Sequence, residues 1–177
     1  SYLLMGGWTV SLGGRPKFSL GTIWFETFQV DFDKPSPFVI DLNDEWIKKH
    51  ERLYLSAAEM AGKDDFQLGK PCLLPANDLL SMHMGTTEFL TALADEPEWM
   101  ENAIRKGAEE LLGERMRLRD MVADHHEYWY GNAGWMPFWA PEPYCPTQSD
   151  VSCMVSPEMF ERFIVPELTT YGESFGA

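Results

Sequence analysis

Apolar positions recur at three- and four-residue spacing through much of the chain, the period of a buried helical face. Trp46, His50, Leu53, Tyr54, Ala57 and Ala61 mark one such face. Asn43 stands where it would cap that helix, Asp44 and Glu45 fall in its first turn, and Gly62 sits at the expected C-cap. Shorter helical pieces are predicted over 78–83 and 86–94. A long helix follows, with Asp95 and Glu98 in capping-box spacing, Pro97 in the first turn, and a stripe of Met100, Ile104, Leu111, Leu118 and Val122 running towards Asp124. Ser156 before Pro157 caps a last helix with Phe160, Phe163, Ile164 and Leu168 on one side, which Pro166 is predicted to kink or end.

Between these helices lie segments of strand-like composition. Residues 21–40 are β-branched and aromatic, broken by Pro35 and Pro37; 66–74 reads as a buried strand; 127–139 is aromatic and punctuated by glycine. A proline-rich loop covers 140–155. Strands alternating with long helices predict an α/β fold with parallel strands and helices packed outside them. Three or four strands are about half of the eight, and 177 residues well short of the roughly 250, of a closed (β/α)8 TIM barrel. Residues 1–177 are therefore expected to form one domain, an incomplete barrel.

Charge narrows the partners. Fourteen Lys and Arg against 28 Asp and Glu give a net charge of −14, without the basic run that would neutralise phosphates, so neither nucleic acid nor an anionic membrane surface is an expected partner. No apolar stretch reaches the roughly 18 residues of a membrane-spanning helix. Hydrophobic residues make up 45% and aromatics 14% of the chain, enough for a substantial core and too apolar for disorder. Three widely spaced cysteines, Cys72, Cys145 and Cys153, form no C-x-x-C, so a reducing, cytoplasmic setting is expected rather than a disulfide framework. Neither glycine-rich phosphate-binding pattern occurs.

The segment 147–168, TQSDVSCMVSPEMFERFIVPEL, resembles the strand-loop-helix signature of the uroporphyrinogen decarboxylase superfamily: a polar residue, small residues, Ser-Pro, two aromatics three apart and a closing Pro-Glu. The segment 75–100, PANDLLSMHMGTTEFLTALADEPEWM, is similar to the family's glycine-anchored loop and the helix after it, which ends at a proline. The resemblance implies a barrel whose reactive groups gather at the C-terminal ends of the strands, and either tetrapyrrole decarboxylation or zinc-dependent methyl transfer between a corrinoid protein and a thiol. By the same resemblance, Asp150 falls where the decarboxylase has a serine touching a substrate carboxylate, and Ser81 about where it has a tyrosine. The arginine-bearing start of the decarboxylase is not recognisable, and Arg15 is the only arginine before Arg52. A deficit of cations argues for a ligand less anionic than uroporphyrinogen. The methyltransferase zinc ligands would lie beyond Ala177, so zinc is implied only for a complete protein and no cofactor for this segment.

Read from the residues alone, Asp150 is an acid, base or hydrogen-bond acceptor at a strand end, or a loop aspartate in an Asx turn. His83 is a proton-transfer or metal-binding imidazole, or a buried structural one. Asp78 pairs with it or caps a helix. Trp139 and Tyr144, in the proline-rich loop, are the aromatic side chains best placed to contact a small-molecule substrate. His50 is expected in the core, and the adjacent His125 and His126 close a helix. The competing reading is a non-catalytic half-barrel that covers its sheet edges with a partner chain, a second copy of itself among them.

Overall fold

The computed structural model describes residues 15–19, 22–27, 29–36, 41–64, 68, 74–122 and 147–174. Helix dominates them. Two strands, β1 (Arg15–Ser19) and β2 (Thr22–Glu26), pair antiparallel, with Arg15 opposite Glu26 and Ser19 opposite Thr22. The helices are α1 (Glu45–Asp64), α2 (Ala76–Met84), α3 (Thr86–Asp95), α4 (Pro97–Val122), α5 (Pro157–Met159) and α6 (Val165–Ser174), with a 3-10 turn at Asp150–Met154 and a π turn at Phe160–Ile164.

This overturns the expected α/β half-barrel. The strands among the described residues form a single antiparallel pair, and no parallel strand pairing joins the helices. The alternation of apolar segments with helices predicts crossover connections; α2, α3 and α4 instead follow one another and pack together directly. The motive for a half-barrel with exposed parallel edges falls with the barrel. The predicted strands over 66–74 and 127–139 lie outside the described residues, apart from Leu68 and Leu74.

Individual helices follow their periodicity with shifts of register. The buried face of α1 is Ile47, His50, Tyr54, Ala58 and Ala61, while Leu53 is exposed. Its cap is Asp44 rather than Asn43: Asp44 Oδ1 accepts the Trp46 N–H at 2.7 Å, and the Asn43 N–H is taken up by Asp41 Oδ1 at 2.9 Å. The helix runs through Gly62 to Asp64, so Gly62 does not end it. The whole predicted stripe of α4 is buried, from Met100 to Val122. Asp95, by contrast, ends α3 rather than capping α4. Gly85 joins α2 to α3 at φ +91°, a left-handed conformation that side chains with a Cβ disfavour, and a Cβ there would meet Thr27 Cγ2 at 3.4 Å.

The last helix is continuous past Pro166. A proline cannot donate to the carbonyl four residues back and crowds it; here the turn before it widens, and the Val165 N–H reaches the Phe160 carbonyl five residues back. The expected kink or stop is replaced by this π turn, which leaves Phe163 and Ile164 buried against the core formed by Leu79, Leu80, Phe89, Met100 and Leu111. Ser156 caps the helix as predicted, Oγ accepting the Met159 N–H at 3.2 Å with Pro157 at the first position. Ser156→Ala is expected to cost about 1 kcal/mol, read from the urea midpoint; an unchanged midpoint would mean that water caps this end equally well.

Candidate functional site

The first turn of α2 is where distant parts of the chain converge. Pro75 stands at its N-cap and offers no side-chain acceptor, so the first N–H groups of the helix need a partner from elsewhere. Glu167 of α6 supplies it. Its Oε1 accepts the Ala76 N–H at 2.5 Å, and its Oε2 accepts the Asn77 N–H at 3.1 Å and Asn77 Nδ2 at 2.6 Å. The Tyr171 hydroxyl donates to Oε1 at 2.7 Å, and the Arg115 guanidinium lies 5.3 Å from the centre of the Tyr171 ring. Glu167 is 1% exposed. Burial pushes its pKa up, against four hydrogen bonds that favour the carboxylate. The positive end of the helix dipole also favours a negative charge here.

The next two residues of the same turn hold the segment 147–154. Asn77 Oδ1 accepts the Ser149 hydroxyl at 3.0 Å. Asp78, third residue of the helix, accepts the Asp150 N–H at 2.8 Å and Gln148 Nε2 at 3.3 Å. Asp78 therefore does not cap its own helix. It serves the start of the 3-10 turn that carries Asp150. Its side chain is buried, at 3% exposure, and its pKa is raised to about 6, first by burial and then by the charge of Asp150, with the donated hydrogen bonds acting in the opposite sense. Asp150 itself is exposed. Two carboxyl groups of unlike environment thus stand together, one open to solvent and one shielded from it.

The residues singled out from the sequence are divided by this geometry. Asp150 and Asp78 are brought together, although Asp150 sits in a 3-10 turn and not at a strand end. His83 is in the last turn of α2, 2% exposed, with Nδ1 donating to the Leu79 carbonyl at 2.8 Å. Burial lowers its pKa to about 4, so at neutral pH it carries no charge. Ser81 is buried on the same helix and its carbonyl accepts the Gly85 N–H. His50 is in the core as expected, 3% exposed, its pKa lowered to about 4 by burial. Trp139, Tyr144, His125 and His126 lie outside the described residues. Among those described, no three or more His, Cys, Asp or Glu side chains stand close enough to hold a metal ion. No helix among them is long and apolar enough to cross a membrane.

Glu167, Asn77, Ser149, Gln148 and Tyr171 are site residues that sequence patterns alone do not single out. The one signal is the Pro-Glu that closes the 147–168 signature, which by itself marks only a helix end. No family model, curated protein or solved structure matches the chain.

Proposed function

We propose that the chain carries the acid–base part of an enzyme site for a small carboxylated or methylated ligand, with chemistry of the uroporphyrinogen decarboxylase superfamily: decarboxylation or methyl transfer. Asp150 is the group that meets the ligand. Asp78 stands behind it as a carboxyl with a raised proton affinity. The supporting observation is that pairing: a buried aspartate whose pKa is raised to about 6 bonded to the backbone of an exposed one, the kind of divergence that separates acid and base roles. The two segments that carry the superfamily resemblance, 75–100 and 147–168, also meet at this turn, through the Ser149–Asn77 and Asp150–Asp78 hydrogen bonds. In decarboxylation Asp150 would orient the ligand or return a proton to the carbon that loses CO2. In methyl transfer it would orient the acceptor. The cytoplasmic setting belongs to the same proposal, on the three widely spaced cysteines.

The test is turnover by the full chain with a carboxylated tetrapyrrole, scored by CO2 release, and separately with a methylated corrinoid and a thiol, scored by methyl transfer. Asp150→Ala should lose on the order of a hundredfold in rate and keep its helical circular dichroism. Wild-type rates from that variant, or no turnover of either probe by the unaltered chain, would remove this reading.

A further inference from the structure

We propose that Glu167 is a positioning residue for Asp150, acting through the Asn77 amide and the Ser149 hydroxyl. This rests on the reading of Asp150 as the ligand-facing group. An asparagine side chain can present its carbonyl or its NH2 in either direction, and its neighbours decide which. The Glu167 carboxylate accepts four hydrogen bonds, two of them from Asn77, so the Asn77 NH2 must face it at 2.6 Å. Oδ1 is thereby turned towards residue 149 as an acceptor, and the Ser149 hydroxyl, 3.0 Å away, donates to it. The Ser149 carbonyl accepts in turn from the Ser152 N–H at 3.2 Å and the Ser152 hydroxyl at 2.7 Å, closing the 3-10 turn.

Asp150 follows directly on this anchor. Its own N–H is held by Asp78 at 2.8 Å, one residue further along α2. The backbone on the N-terminal side of the exposed carboxylate is thus fixed by two successive residues of one helical turn, and the N–H groups of that turn are fixed by Glu167. A cap that only stabilised α2 would need the two backbone N–H groups; the bond to Asn77 Nδ2 is what carries the order onward to Ser149. Glu167 also sits on the helix that follows Asp150 in the chain, so the chain of bonds returns to the segment it started from. A shift of α6 along its axis would consequently be felt at Asp150 through hydrogen bonds as well as through the chain.

Amide hydrogen exchange of the full chain, without any ligand, tests this. Ser149→Ala removes the hydroxyl alone. It should speed exchange of the Asp150 N–H by about tenfold, leave the Ala76 and Leu111 amides within about twofold of wild type, and be reversed by Ser149→Thr. Glu167→Gln, which weakens the hold on Asn77 Nδ2, should raise Asp150 exchange at least as much, and unchanged Asp150 exchange in a folded Glu167→Gln also overturns the relay. Asn77→Leu, which cuts the same chain, should do the same and stands in if Glu167→Gln fails to fold. Asp150 exchange unchanged in Ser149→Ala and Asn77→Leu, or raised in Ser149→Ala without rescue by threonine, overturns the relay. That result would leave the acid–base reading of Asp150 standing, because the readout involves no turnover; loss of the acid–base reading would likewise leave these exchange rates as they are.

Discussion

Glu167→Ala is expected to lower the free energy of unfolding by about 3–5 kcal/mol, more than any other single change at this site. Truncation strands four donors at once: the Ala76 and Asn77 N–H groups, Asn77 Nδ2 and the Tyr171 hydroxyl. A buried donor left without an acceptor costs about 1–3 kcal/mol, and a water molecule entering the space would recover part of the sum. Desolvation works in the other direction, since burial at only 1% exposure disfavours the charged carboxylate and raises its pKa. The stranded donors outweigh it because they outnumber it, and because the first turn of α2 has no cap of its own. Glu167→Gln keeps an acceptor for some of these groups and should lose about half as much. Urea unfolding followed by circular dichroism measures both losses. A loss below about 1 kcal/mol for the alanine variant would show that water replaces the carboxylate, and that α2 does not depend on α6.

That dependence is the part of the molecule least visible in its sequence. The stripe from Met100 to Val122 and the Ser156-Pro157 start were legible because both are local: a period of 3.6 residues and a cap followed by proline name a helix whatever surrounds it. On α1 the period was legible but not its phase, because Leu53 and Tyr54 are adjacent and either could lead the buried face; Leu53 is at the surface. The topology is not legible in the sequence for a different reason. Composition shows that 22–26 favours extended backbone, but not which strand it meets, and its partner Arg15–Ser19 contains Pro16 and two basic residues that carry little strand signal. Asp78 and Asp150 each stand out in the sequence, yet 72 positions separate them and nothing in either segment encodes the hydrogen bond that joins them. Glu167 was hidden most completely. A glutamate just after a proline in a helical segment reads as solvent-facing, and its burial exists only once α6 has docked against the start of α2.

Acid titration separates the buried groups into two opposing sets, and single substitutions isolate each. His50 and His83 have pKa values lowered by burial to about 4 from an ordinary 6.5. The unfolded chain therefore takes up protons between pH 6.5 and 4 that the folded chain refuses, and stability is lost as the pH falls through that window, by about 3 kcal/mol for each histidine. Asp78 acts oppositely. Its folded pKa of about 6 exceeds the ordinary 3.8, so the folded state binds its proton more tightly; the resulting stability is fully present below pH 3.8 and is lost as the pH rises through 6. Near pH 5 each of the three groups contributes a difference of about one proton between folded and unfolded chain, positive in slope for the histidines and negative for Asp78. Asp78→Asn keeps an acceptor for the Asp150 N–H while abolishing the titration, so the slope of unfolding free energy against pH should steepen by about one proton at pH 5. His50→Leu should flatten the slope by a similar amount. At pH 7 it should be neutral or stabilising, because neither ring nitrogen of His50 has a hydrogen-bond partner among the described residues and leucine suits the same apolar face. Urea unfolding of the three proteins from pH 4 to 7 gives the slopes directly. Profiles that run parallel would mean that Asp78 and His50 titrate alike in the folded and unfolded chain, and the raised proton affinity on which the acid–base role of Asp78 depends would be lost with them.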